Sequence, residues 1–181
     1  MKKTDEEFWE GNWKKSTLWR YRGIIRYMAI HRRFNGLFKS FLERGDKKVL
    51  EIGCARGTWL VYFAKEFGYE PYGVDYSKIG CKMAEENLKR VGIDGTILCE
   101  DIFKTSLKKE YFDVVYSIGL IEHFDDPNKI INKHIELLKV GGTLIITIPN
   151  FGDSLYLTLR KLLGKEKELL ETHNTTIMDK G

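Results

Sequence analysis

Apolar positions along the chain change their period once, near residue 46. Between 17 and 44 they recur at helical spacing, as Tyr21, Ile25 and Met28 and then Phe34, Phe38 and Phe41. Gly23 and Gly36 interrupt that stripe, which allows two helices, and Gly45-Asp46 closes it. From there on, short apolar runs alternate with amphipathic ones. KKVLEIG (47–53) reads as a buried strand, and TWLVYFAKEFG (58–68) as a helix closed by Gly68. PYGVD (71–75) is the second strand. Ser77 is a plausible N-cap for a helix whose stripe is Ile79, Met83, Ala84, Leu88 and Val91. Strands three and four are Thr96–Cys99 and Phe112–Tyr116. Asp126-Pro127 places a cap and then a proline at a helix start. Ile131, Ile135 and Leu138 carry that helix to a stop at Gly141-Gly142, and TLIITI (143–148) is the fifth strand. Strand and helix alternating from residue 47 onward means βαβ units and a largely parallel α/β sheet.

Composition narrows the class without changing that picture. The 181 residues suit one domain, and 43% hydrophobic with 31% charged residues is the balance of an ordinary globular protein. Three cysteines, none in a C-x-x-C pair, suggest reduced thiols in a cytoplasmic setting and argue against a structural metal site. MKKTDEEFWEGNW has no apolar core of a signal peptide, and no apolar run approaches the length of a membrane span. The net charge of +4 is mild but uneven: residues 14–44 hold nine basic side chains against Glu43 alone. With Trp19, Tyr21, Tyr27, Phe34, Phe38 and Phe41 interleaved, that stretch has two readings. It is either a surface for nucleic acid or another polyanion, or an amphipathic segment packing aromatics inward and showing Lys and Arg to water.

In a parallel sheet a ligand sits at the carboxyl ends of the strands, so the residues that follow each strand carry the chemistry. After strand one comes Glu51-Ile52-Gly53-Cys54-Ala55-Arg56-Gly57, whose small residues at 53, 55 and 57 let the backbone approach a ligand. Asp75 ends strand two, 22 residues after Gly53, where a carboxylate can accept both hydroxyls of a ribose. Asp101 ends strand three, placed to accept from a purine amino group. A nicotinamide fingerprint laid on Gly53 finds Ala55 and then Thr58, so its third small residue fails. Glu51 would also repel a pyrophosphate, whereas it suits a cation. A ligand with adenosine at one end and positive charge at the other is S-adenosylmethionine.

VLEIGCARG, GVDYS, EDIF, FDVVYSIGLIEHFDD and LKVGGTLIITIPN resemble the successive motifs of class I S-adenosylmethionine-dependent methyltransferases, in that family's order and spacing, over about 47–150. The resemblance implies a Rossmann-like, doubly wound sheet of strand order 3-2-1-4-5. It implies that Gly53, Cys54, Ala55 and Gly57 pass the methionine part of the cofactor and that Glu51 reaches its ammonium or the ribose. Asp75, with Tyr76 beside it, takes the ribose. Asp101 takes the adenine amino group and the Ile102 N–H faces the ring. Ser117 offers its carbonyl to the ammonium. Ala55 stands where many members have Gly, at small cost so long as that residue does not need φ > 0. His123, in Glu122-His123-Phe124-Asp125-Asp126, is the candidate general base; its other reading is a structural imidazole bracing the loop, as the similar Glu-His pair does in the family.

The sulfonium is already an activated donor, so holding a nucleophile in line at about 3–3.5 Å supplies most of the acceleration. Ser117-Ile118-Gly119-Leu120 lacks the Asp/Asn-Pro-Pro-aromatic motif of adenine amino-methyltransferases, and no Pro-Cys of a cytosine C5 enzyme is present. EHFDDP looks like the small-molecule branch, so the expected acceptor is a small molecule taking the methyl on oxygen, nitrogen or carbon. The alternatives are an RNA or protein methyltransferase using the basic segment, or a non-catalytic S-adenosylmethionine-binding subunit. Three regions follow: a basic, aromatic helical segment at 1–46 covering the cofactor, the core at 47–150, and a helical tail at 151–181. The family's final strand hairpin has no counterpart in that tail, which reads as truncated. Strand 143–148 would then be an apolar edge, and a homodimer through it or through the tail helix at 155–164 is expected. His173-Asn174 reach the site's mouth if the tail folds back. No metal and no membrane are expected.

Overall fold

In a computed structural model the described residues are 2–15, 32–149, 162, 164 and 166–178. Five strands, β1 (Lys48–Ile52), β2 (Glu70–Asp75), β3 (Thr96–Cys99), β4 (Phe112–Ile118) and β5 (Leu138–Thr147), form one parallel sheet in the order β3-β2-β1-β4-β5. That is the order the resemblance implies. Six helices are described around it: α1 (Glu6–Lys15), α2 (32–39), α3 (Thr58–Phe67), α4 (Lys78–Arg90), α5 (Pro127–Leu137) and α6 (Glu166–Thr172).

Period-two alternation assigns each strand residue to one of two layers. Val49, Val114 and Tyr116 face the layer of α2, α3 and α4, where Phe38, Leu60, Phe63 and Ala84 are buried. Leu50, Ile52 and Val115 face the opposite layer, with Ile130 and Leu137 of α5. Both faces of β1 and β4 are therefore covered, which is why these strands read as near-continuous apolar runs. Ser77 caps α4 by accepting from the Gly80 N–H, and Asp126 caps α5 by accepting from Asn128, with Pro127 at the first position.

Several expectations are corrected. The buried face of α5 is Ile130, His134 and Leu137, one residue out of phase with the expected stripe, and Ile135 is 54% exposed. His134 fits that face because its Nδ1–H donates to the Ile130 carbonyl and its Nε2 accepts from the Ser117 hydroxyl. The helix ends at Leu137, and Gly141-Gly142 lie inside β5. There the register slips, Phe112 opposing Leu138 but Val114 opposing Thr143. The glycines absorb the slip: Gly141 has φ +79, and a Cβ on Gly142 would meet Leu138 at 2.7 Å. On α4 the buried residues are Gly80, Cys81, Ala84 and Leu88. Phe41 is 47% exposed, while Phe38 is buried against Trp59, Tyr62 and Phe63 of α3. Tyr21, Ile25, Met28 and most of the tail at 155–164 lie outside the described residues. Among those residues β5 pairs with β4 alone, and no helix is long and apolar enough to cross a membrane.

Candidate active site

The turn after β1 is pinned to the end of β2. The Gly53 and Cys54 N–H groups both donate to the Val74 carbonyl, at 2.8 and 3.3 Å. Gly53 takes φ +76, and Ala55 takes φ +42. The condition for a cheap Ala55 is thus not met: this residue is left-handed, a conformation that strains an L side chain. Its N–H is held there by Asp75 Oδ2 at 2.8 Å, while Asp75 Oδ1 accepts from the Ser77 N–H at 2.9 Å. Burial pushes the Asp75 carboxyl above its ordinary range, and these N–H bonds oppose it. Glu51 is buried deeper. Burial raises its carboxyl well above the usual range, against the bond it accepts from the Tyr116 hydroxyl at 3.0 Å.

These groups open onto one cavity of about 770 Å³ at the carboxyl ends of β1, β2 and β4. Glu51, Gly53, Cys54 and Ala55 line it from the β1 turn; Asp75, Tyr76 and Ile102 line it from the ends of β2 and β3. Cys54 is a buried thiol that burial raises well above its ordinary pKa, so it is inert.

Four expected residues are placed outside that cavity. Gly57, at φ +63, packs under it against Ala84 and begins α3. Ser117 is fully buried, and its hydroxyl, not the carbonyl expected to meet the ammonium, donates to His134 Nε2. Asp101 caps the short 3₁₀ turn Ile102–Lys104 by accepting from the Phe103 N–H, and Lys2 donates to it at 2.9 Å. Burial raises the Asp101 carboxyl, but the Lys2 ammonium and the Phe103 N–H outweigh it and hold it low. His123 is buried behind Trp9, ring centroids 4.9 Å apart. Its Nδ1–H donates to the Thr172 carbonyl at 2.7 Å, and burial lowers its pKa to about 4.

The tail does fold back at this point. The Asn174 N–H donates to the Glu122 carbonyl, and the Asn174 side chain donates to Phe124 and Asp125. The His173 and His123 rings lie 4.4 Å apart, tilted by 53°. They line a separate cavity of about 170 Å³ beyond Trp9. Glu122, His123 and His173 each bring one donor atom within 4.8 Å of the others, a set of types that a divalent cation accepts.

The wall opposite the strand ends is formed by residues 2–15; the sequence reading put a helical segment at 1–46 over the site but did not single out this helix or its tryptophans. Asp5 caps α1 by accepting from the Phe8 N–H, and Trp9 and Trp13, one turn apart, stack at 5.8 Å and line the cavity. Glu10 accepts from Ser77 Oγ and the Ile79 N–H, fastening α1 to the start of α4. Tyr76 donates to the Asp5 carbonyl, and the Lys3 N–H to that of His123. The available signal was an Asp cap followed by tryptophans at i and i+4.

A family model described as a methyltransferase domain matches residues 50–146. The chain belongs to the methyltransferase-domain family. It is 30% identical over 106 residues to norajmaline N-methyltransferase of Rauvolfia serpentina, covering 58% of this chain and 36% of that one. It is 29% identical over 157 residues to the ubiquinone biosynthesis O-methyltransferase of Pelagibacter ubique, covering 82% and 62%. Among solved structures, phosphoethanolamine N-methyltransferase 2 of Haemonchus contortus, in complex with phosphomonomethylethanolamine and S-adenosylhomocysteine, superposes with a TM-score of 0.64 at 22% identity, over 91% of this chain and 40% of that one. This methyltransferase domain thus spans about a third to two thirds of the length of these relatives.

Proposed function

We propose that the chain binds S-adenosylmethionine in the 770 Å³ cavity and moves its methyl group to a small-molecule acceptor. The observation that carries this reading is the Asp75 carboxylate, held at the end of β2 by two backbone N–H groups beside the buried Glu51. Two acidic groups at the mouth of a tight glycine turn suit a ribose diol and an adjacent cation. Norajmaline, tocopherol and ubiquinone-pathway methyltransferases among the relatives support a small acceptor.

In this reading Asp75 accepts from the ribose hydroxyls, and Glu51, with Tyr116 donating to one oxygen, meets the positive end of the cofactor. The Gly53–Ala55 turn passes the methionine part, and Ile102 with Tyr76 flanks the adenosine. Asp101 takes the adenine amino group only by exchanging its bond to Lys2. The bound sulfonium supplies an activated methyl. The chain's contribution is to hold the acceptor in line with it and exclude water, with Trp9, Trp13, Leu120 and Phe124 as apolar walls. His123 is a positioning residue here: its Nδ1–H braces α6, and Trp9 stands between it and the cavity.

Uptake of labelled methyl from S-adenosylmethionine by a panel of phenols, amines and carboxylic acids tests the activity. Transfer to at least one class, lost in Asp75→Ala and reduced less than about tenfold in His123→Gln, is expected, since loss of a true base costs about 10²–10⁴. No transfer by a chain that binds the cofactor would leave a binding subunit instead.

A further inference from the structure

Arg56 sits in the same turn, between the left-handed Ala55 and Gly57, and its side chain lines the cavity. The guanidinium lies over the Trp13 ring, 5.4 Å from its centroid. Its Nε is buried and donates to nothing, and no group among the described residues pairs with the rest of the guanidinium. A guanidinium stays charged at any ordinary pH, so this is a standing demand for an acceptor.

The cavity's own groups do not meet it. No carboxylate of the cavity bonds Arg56: Glu51 accepts from Tyr116, Asp75 from the N–H groups of Ala55 and Ser77, and Glu100 from Ser106. Lys2, the other cation on the cavity wall, is bonded to Asp101. Of the two cations that line the space, Lys2 is paired and Arg56, among the described residues, is not. The Trp13 ring holds the guanidinium at the cavity wall, and a guanidinium fork suits a two-point contact with a planar anion.

We propose that Arg56 is the cavity's carboxylate anchor, pairing through its N–H fork with a carboxylate of a molecule bound between Trp13 and the strand ends. The inference rests on the cofactor reading above for its location. Two molecules bring that chemistry: the cofactor, through its amino-acid end, and an acidic methyl acceptor.

Arg56→Gln removes the charge and keeps a hydrogen-bonding amide. Its melting temperature should stay close to that of the parent, because the contact with the Trp13 ring is the one described side-chain contact it loses. Calorimetric titration with S-adenosylmethionine and with its decarboxylated analogue reads the first source. A loss of tenfold or more for the former, with the analogue binding both proteins alike, assigns Arg56 to the cofactor. Titration of benzoate and indole-3-acetate against their amides, on the S-adenosylhomocysteine-loaded chain, reads the second. A preference for the acids that Arg56→Gln abolishes and Arg56→Lys partly keeps assigns it to the acceptor. Equal affinities of parent and Arg56→Gln for all of these ligands would overturn the proposal. If the parent does not bind S-adenosylmethionine, the cofactor reading fails, and the acid-against-amide comparison on the free chain still decides Arg56.

Discussion

Glu122 carries an unmet polar demand in the loop after β4. It is 1% exposed, its Oε2 has no hydrogen-bond partner, and burial raises its pKa to about 7. An unfolded glutamate titrates near 4.5, so between 4.5 and 7 the folded chain holds a proton that the unfolded chain releases. Stability from this group is complete below the lower value and is lost as pH rises to the upper one. Glu122→Gln removes that dependence. We expect the variant to match the parent near pH 4.5 and to exceed it at pH 8 by on the order of 2–3 kcal/mol, measured by chemical denaturation. A difference independent of pH would show that the carboxyl is already stabilised as an anion. Such a cost was not legible in Glu-His-Phe alone, because it comes from the burial of the loop, onto which the segment at Asn174 folds back. Asp75 and Glu51 were legible because their places follow from where strands end. Ala55 was not, since the handedness of a turn is set by the bond its N–H makes to Asp75.

At the scale of elements, the strands and α3, α4 and α5 were legible because each carries a period and a punctuation mark, such as Ser77 or Asp126-Pro127. The phase of α5 was misjudged because a histidine occupies its buried face and finds partners there. The glycine pair at 141–142 looks the same whether it ends a helix or relieves a bulge, and only the β4 register decides. Helix α1 was not delimited within the expected 1–46 segment, since its tryptophans face the cavity rather than the core. Its docking depends on the Glu10 carboxylate at the start of α4, where helix N–H groups and the helix dipole favour a negative charge. Glu10→Lys reverses that charge. Amide exchange over 6–15 should then quicken severalfold while protection of β1 and β4 is unchanged. Unchanged exchange over 6–15 would mean that Lys2, Lys3 and Tyr76 suffice to hold the helix.

For the molecule as a whole, the order β3-β2-β1-β4-β5 puts the reversal of winding between β1 and β4. Connections leave in opposite directions there, and a crevice opens at the strand ends. The turn after β1, the end of β2 and the loop after β4 all face that crevice, and α1 closes its far side. Charge is arranged to match: Glu51 and Asp75 at the sheet end, Arg56 against Trp13 across the space. The central claim is that this crevice takes S-adenosylmethionine through Asp75. Calorimetric titration of S-adenosylmethionine into the parent and into Asp75→Ala measures it directly. Leaving two ribose hydroxyls without their acceptor should cost about 1.5–3 kcal/mol, roughly tenfold or more in affinity. Equal affinity of the two proteins, or tighter binding of NAD than of S-adenosylmethionine by the parent, would contradict it.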